Sequence, residues 1–282
     1  MIRTIREGDR WSLQTALIHL RHPETGRRVR LMSMIHIGEP KFYTRVNEII
    51  TEHDGIVLFE GLGQLSEEEI EGLTAEERRV YDSLRPLNDA YRRLAAALDL
   101  VAQPDALMEP GANWVRADLP LKRLLAIWVE QRLPLLPAMD AASRALEGAF
   151  FKRATRLLLL QEPLILGAFR AVRGWSPAIG RLSRILVEER NAAAITVFDG
   201  TAQEKDVLFI YGAGHIAGLL DALKRRGYRP AARDWFTAHT ERIAFTDLFD
   251  AAAGVWRWAS ARPRNGNGAG SASPSARRTH PQ

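Results

Sequence analysis

Hydrophobic positions along this chain fall into two patterns. Residues 11–19 and 28–34 read as two strands, and the short apolar runs at 56–59 and 207–211 predict buried ones. The turn residues of His22-Pro23-Glu24-Thr25-Gly26 join the first two into a β-hairpin. Elsewhere apolar residues recur at helical spacing. Phe42, Val46, Ile49 and Ile50 follow Pro40, which suits a first helical turn. From about residue 65 to 200 helices dominate. Ser66 with Glu69 forms a capping-box pattern, residues 119–132 continue the helical reading, and residues 180–198 predict one long amphipathic helix. Pro134, Pro137 and the stretch from Gly174 to Pro177 interrupt that region, and residues 98–103 suggest a brief strand. A helix follows at 216–226 and stops at Gly227, then a last strand at 240–245 and a closing helix at 247–259 with Trp256 and Trp258. The predicted fold is α/β: a central mixed sheet built from two strand-x-x-x-His-helix halves, with a large helical insert.

The ends of the strands carry the candidate chemistry. The run at 207–211 stops at Gly212-Ala213-Gly214-His215, and glycines let a chain turn sharply and approach a ligand. Ser33-Met34-Ile35-His36 echoes this arrangement after the hairpin, and the run at 56–59 ends in Glu60. Open α/β sheets bind ligands at the carboxyl ends of their strands. His36, Glu60 and His215 are therefore expected at one edge. Two imidazoles and a carboxylate suit a divalent transition metal such as Zn, Mn, Co or Fe(II), with open positions for water and substrate. Glu60 has a second reading, as the general base. Each residue also has a structural reading, a turn histidine or a solvated carboxylate; the combination points to a site. Gly212-x-Gly214-x-x-x-Gly218, with Asp234 further on, resembles a dinucleotide-binding turn, but His215 would crowd the pyrophosphate path.

Composition narrows the classes. There is no cysteine, so disulfides and thiolate metal sites are excluded. No apolar run is long enough to span a bilayer, and the charged start of the chain is not a secretory signal, which suggests a cytoplasmic protein. The net charge of +5 belongs mostly to residues 260–282, which hold Arg262, Arg264, Arg277 and Arg278 and no acid. That segment is rich in Gly, Ser, Ala, Pro and Asn and is expected to be a disordered basic tail behind one α/β domain at 1–259. The nearly neutral body argues against a specific nucleic-acid partner. The composition is compatible with a homo-oligomer.

At these residues the chain resembles the TraB/PrgY/GumN family, related to the Tiki proteins and to a wider group of erythromycin-esterase-like and ChaN-like proteins. That family carries two Gly-x-x-His motifs with a Glu between them. Gly212-Ala213-Gly214-His215 with Ile216, Gly218 and Leu219 matches the second motif, and Ser33-Met34-Ile35-His36 matches the first with Ser in place of Gly. Ile56-Val57-Leu58-Phe59-Glu60 matches the strand with the Glu, and Glu189-Arg190-Asn191 the stretch ahead of the second motif. The likeness covers residues 10–250, loosely in the helical middle. It implies a central sheet with inserted helices and, for Tiki-like members, metal-dependent peptide hydrolysis.

Two functions from different classes follow. The first is a metal-dependent hydrolase of an amide or ester, acting on a peptide or small molecule. His36, His215 and Glu60 would bind the metal, and Arg190 would stabilise an oxyanion or hold a carboxylate by its rigid fork. The second is a non-catalytic protein that sequesters a peptide or small ligand in the same pocket, as the family's association with pheromone shutdown suggests. Ser33, Gly212, Gly214, Glu189 and Asp118 are supporting candidates. Asp118 also reads as an N-cap, and Arg190 as a surface partner of Glu189 or Asp199. His53 and His239 read as structural.

Overall fold

The computed structural model describes residues 1–135, 155–156, 159–160 and 177–242. Its strands are β1 (Ile2–Glu7), β2 (Arg10–Arg21), β3 (Arg28–Met34), β4 (Ile37–Gly38), β5 (Ile56–Phe59), β6 (Val101–Ala102), β7 (Trp114–Arg116), β8 (Val207–Gly212) and β9 (Arg229–Arg242). Its helices are α1 (Pro40–Thr51), α2 (Glu67–Glu71), α3 (Ala75–Leu84), α4 (Leu87–Ala97), α5 (Gln103–Ala106), α6 (Leu121–Glu130), α7 (Pro177–Ser183), α8 (Arg190–Asp199) and α9 (Ala213–Arg225). Seven strands form one mixed sheet in the order β1-β2-β3-β8-β5-β7, with β9 paired to β2. β3, β8, β5 and β7 are parallel, whereas β2 runs antiparallel to β1, β3 and β9. The fold is α/β.

Near-continuous apolar strands are what a sheet buried on both faces requires. Successive residues alternate between the faces. Leu31, Leu58, Phe209 and Tyr211 pack with Ala194, Ile195 and Phe198 of α8 and with Ile216, Leu219 and Leu223 of α9. Met32, Val57, Leu208 and Ile210 pack on the other face with Phe42, Tyr43, Val46, Ile49 and Ile50 of α1. Each such aliphatic side chain, fully buried, contributes about 1.5–3 kcal/mol. The sheet is thus sandwiched between α1 and the α8/α9 pair. A separate apolar cluster holds α3 and α6 together through Val80, Leu124, Leu125 and Trp128. Ser66 and Thr74 both form capping boxes, at α2 with Glu69 and at α3 with Glu77.

The sequence pattern and the structure differ in several places. The expected helical middle contributes a strand of its own, β7, which pairs with β5 and sets its end beside Glu60. β9 begins at Arg229, well before the strand expected at 240–245, because its first half is exposed and carries no apolar alternation. The helix expected at 180–198 is interrupted by a π-helical turn, Arg184–Glu189. The likeness between the two His-bearing halves holds for the strands and fails beyond them. His215 lies in the first turn of α9, whereas His36 lies in a bend between β3 and β4, four residues before α1. Residues Met1–Ala244 form one compact unit and Phe245–Gln282 another. The helix expected at 247–259 and the tail at 260–282 lie outside the described residues. Among the described residues no helix is long and apolar enough to cross a membrane.

Candidate functional site

Four adjacent parallel strands deliver the candidate residues. The register pairs Phe59 with Ile210 and with Arg116, and Met34 with Gly212, so β3, β8, β5 and β7 end at one level. Just past those ends come His36, His215, Glu60 and Asp118. The sheet order β3-β8-β5-β7 therefore collects at one edge residues that are far apart in sequence.

Glu60 is the centre of the cluster. Its Oε2 accepts the Gly212 backbone N–H at 2.7 Å, and its Oε1 meets Arg190 Nη2 at 2.8 Å and His215 Nε2 at 3.4 Å. A Cβ on residue 212 would lie 3.0 Å from Oε2, so the glycine lets the carboxylate approach the backbone. Burial alone would raise the Glu60 pKa; His215, Arg190 and the Gly212 N–H outweigh it and hold the carboxyl well below the usual carboxylate range. Glu60 stays ionised at neutral pH.

Arg190 is clamped rather than free. Its Nε and Nη2 donate to the two oxygens of Asp118 at 2.8 and 2.6 Å, a bidentate fork. Asp118, whose side chain is fully buried, also accepts the Gly61 N–H at 2.8 Å and the Leu119 N–H at 2.7 Å. Desolvation lowers the Arg190 pKa, but Asp118 and Glu60 more than compensate and raise it above the ordinary value. The surface pairing of Arg190 with Glu189 or Asp199 is not what forms: Asp199 pairs with Arg226, and Glu189 is exposed. Nor does Asp118 cap a helix; α6 starts at Leu121 behind Pro120. The π-helical turn immediately precedes Arg190 and Asn191, and such turns often sit at functional sites.

His215 is buried and held at both ring nitrogens. Nδ1 lies 2.8 Å from Asn191 Oδ1, and Nε2 faces Glu60. Tyr211 closes the floor: its hydroxyl donates to the Ala117 carbonyl, and burial pushes its pKa above the ordinary value. His36 occupies a recess on the same edge. Its ring stacks on Tyr91 with centroids 4.6 Å apart and still meets solvent. Desolvation lowers its pKa, and it lies close enough to feel the charges of Glu60, Arg190 and His215. It is thus a neutral imidazole.

The remaining candidates divide. Gly212 takes part directly. Gly214 faces open space, with nothing within 4 Å of a Cβ placed there. Ser33 is fully buried inside β3, in no turn, and its hydroxyl accepts from the Met1 ammonium at 2.7 Å. Asn191 and Tyr91 were not singled out as site residues by the sequence; Asn191 stands directly after Arg190 in the quoted motif, and Tyr91 left no signal. A cavity of about 400 Å³ at the opposite end of the sheet is lined by His19, Arg28, Arg30, His53 and Asp206 and holds none of the candidates.

The donor set permits a direct test of the metal expectation. A tetrahedral ion with bonds of about 2.1 Å separates two ligand atoms by about 3.4 Å. Glu60 Oε1 and His215 Nε2 stand at that separation. They fit as two donors of mixed oxygen and nitrogen character, with Arg190 bonded to the carboxylate from outside. His36 does not gather with them as a third: among the described residues no three His, Asp or Glu side chains are close enough to hold one ion.

No protein-family model, curated protein or solved structure matches the chain. The α/β fold and the geometry of the site therefore carry the functional reading.

Proposed function

We propose that the chain is a hydrolase of amide or ester bonds, with a peptide or small molecule as substrate and a divalent transition metal held by His215 Nε2 and Glu60 Oε1. One observation carries this: an ionised Glu60 faces His215 Nε2 across 3.4 Å, the separation of two ligand atoms on one tetrahedral ion. Asp118 and Arg190 pair with each other, and the ionised carboxylate of Glu60 stands beside them. A cation between these two atoms would be held by one oxygen and one nitrogen donor. Such an ion supplies Lewis-acid polarisation and acidifies bound water.

The residues then take distinct roles. Glu60 is a poor general base, because its oxygens are hydrogen-bonded and its proton affinity is low. His36 is neutral and open to solvent, so it accepts the proton of an attacking water. Arg190 spends Nε and Nη2 on Asp118 and Glu60, and its Nη1 would be the nitrogen left to donate to the oxygen that gains charge. Tyr91 supports the His36 ring by stacking. The resemblance to the TraB/PrgY/GumN family supports the same reading. The alternative, ligand sequestration without turnover, is favoured by one feature: Glu60, Asp118 and Arg190 are locked in mutual bonds.

The test uses untagged protein. Calorimetric titration with Zn, Mn and Co salts is expected to show one site, lost in His215→Ala and weakened in Glu60→Gln. A panel of esters and peptides is expected to show turnover that His36→Ala removes while metal binding persists. No metal binding in the parent would end the metal reading; stoichiometric binding of a peptide without turnover would establish the sequestration reading instead.

A further inference from the structure

We infer that Asn191 is the positioning residue that fixes the tautomer of His215, and that residue 218 is a glycine in order to admit Asn191. The inference deepens the metal-site reading, because only one tautomer leaves Nε2 free to ligate.

The argument starts from what each atom can do. Asn191 Nδ2 donates to the His215 backbone carbonyl at 3.2 Å, and a carbonyl oxygen can only accept. The amide orientation is therefore forced, and its Oδ1 is the atom 2.8 Å from His215 Nδ1. Oδ1 is also only an acceptor, so Nδ1 must carry the proton. In a neutral ring the lone pair then sits on Nε2, pointing at Glu60 Oε1. Left to itself a neutral imidazole side chain favours the other tautomer, with the proton on Nε2. That proton would donate to Glu60 and block Nε2. Asn191, itself buried, thus opposes both the ring's own preference and the pull of the carboxylate.

The second half concerns α9. Asn191 reaches His215 from α8 across the face of α9, and it passes directly over Gly218. A Cβ on residue 218 would lie 2.4 Å from Asn191 Nδ2. The amide is pinned at both ends, so it cannot slide aside and keep its two bonds. Any larger residue at 218 displaces it. This accounts for the third glycine of Gly212-x-Gly214-x-x-x-Gly218 without a nucleotide: the close approach is made by an asparagine.

The experiment is tautomer-sensitive ¹⁵N NMR of the imidazole of His215, on metal-free protein at a pH where the ring is neutral. The parent is expected to show a pyrrole-type Nδ1 and a pyridine-type Nε2. Asn191→Asp keeps an acceptor at Nδ1 and should keep this pattern. Asn191→Leu and Gly218→Ala should both shift the ring towards the Nε2–H form. A parent already in the Nε2–H form, or a Leu variant unchanged from the parent, overturns the inference. Should the Leu variant fail to fold, the parent and the Asp and Gly218→Ala variants still decide it. Metal affinity is read separately: a parent with the expected tautomer that binds no metal would sink the proposed function and leave this inference standing.

Discussion

Asp118 shows how much of the site rests on single residues. Its fully buried carboxylate compensates Arg190 and satisfies the Gly61 and Leu119 N–H groups. Removing one partner of such a pair leaves a buried charge and two orphaned donors. Asp118→Ala is therefore expected to lose about 3–5 kcal/mol of stability in urea unfolding. Asp118→Asn keeps the shape and some of the bonds and should lose less. An Ala variant as stable as the parent would show that water replaces the carboxylate. Protonation acts on the same cluster. The His36 and His53 pKa values are lowered, chiefly by desolvation, and that of Glu60 is lowered by its partners against desolvation. In all three the folded state holds its proton more weakly than the unfolded state does. Their contribution to stability is complete above the unfolded pKa and is lost as pH falls through the folded one. The histidines act from about pH 6.5 downwards, and Glu60 from about pH 4.3 downwards. Denaturation midpoints should fall progressively across that range. His36→Phe, which cannot titrate, should flatten the upper part of the curve; an unchanged slope between pH 6.5 and 5 would show that His36 titrates alike in both states.

At the scale of elements, close packing decides what can change. Gly55 precedes β5, and a Cβ there would lie 2.1 Å from the Asp206 backbone oxygen, which accepts the Ile56 N–H at 2.9 Å. Neither side is a flexible side chain. Gly55→Ala is expected to part β5 from β8 at this end and cost at least the roughly 1–3 kcal/mol of an overpacked core. A thermal midpoint equal to the parent's would show that the strand start moves freely. The elements also show what the sequence made legible. The hairpin, α1, β5, β8 and α9 were visible because buried parallel strands and one-sided helices leave strong periodic patterns. So were His36, Glu60 and His215, since each directly follows such a strand. β7 was not legible: Trp114-Val115-Arg116 is too short to show a period, and only its pairing with β5 makes it a strand. Asp118 was therefore legible only as a supporting candidate that also read as an N-cap. Arg190 and Asn191 were legible as a motif but not in their bonds, which depend on the π-helical turn before them.

At the scale of the whole molecule, charge and composition separate the body from the tail. The arginines at 262, 264, 277 and 278 account for most of the +5 net charge, and no acid lies among them. Gly, Ser, Ala, Pro and Asn make up most of the rest of residues 260–282, and such a segment buries too little apolar surface to offset the entropy of ordering it. Deleting residues 260–282 is therefore expected to leave the thermal midpoint within about a degree, because surface changes away from packed features cost within about 0.5 kcal/mol. The same deletion should abolish most of the retention on a polyanionic column, since the remaining body is nearly neutral and a cluster of arginines is what binds a polyanion. Salt should elute the full chain early, because only four tail charges are involved. A midpoint several degrees lower after deletion would show that the tail packs on the body. Undiminished retention would show that a basic surface lies on the body itself.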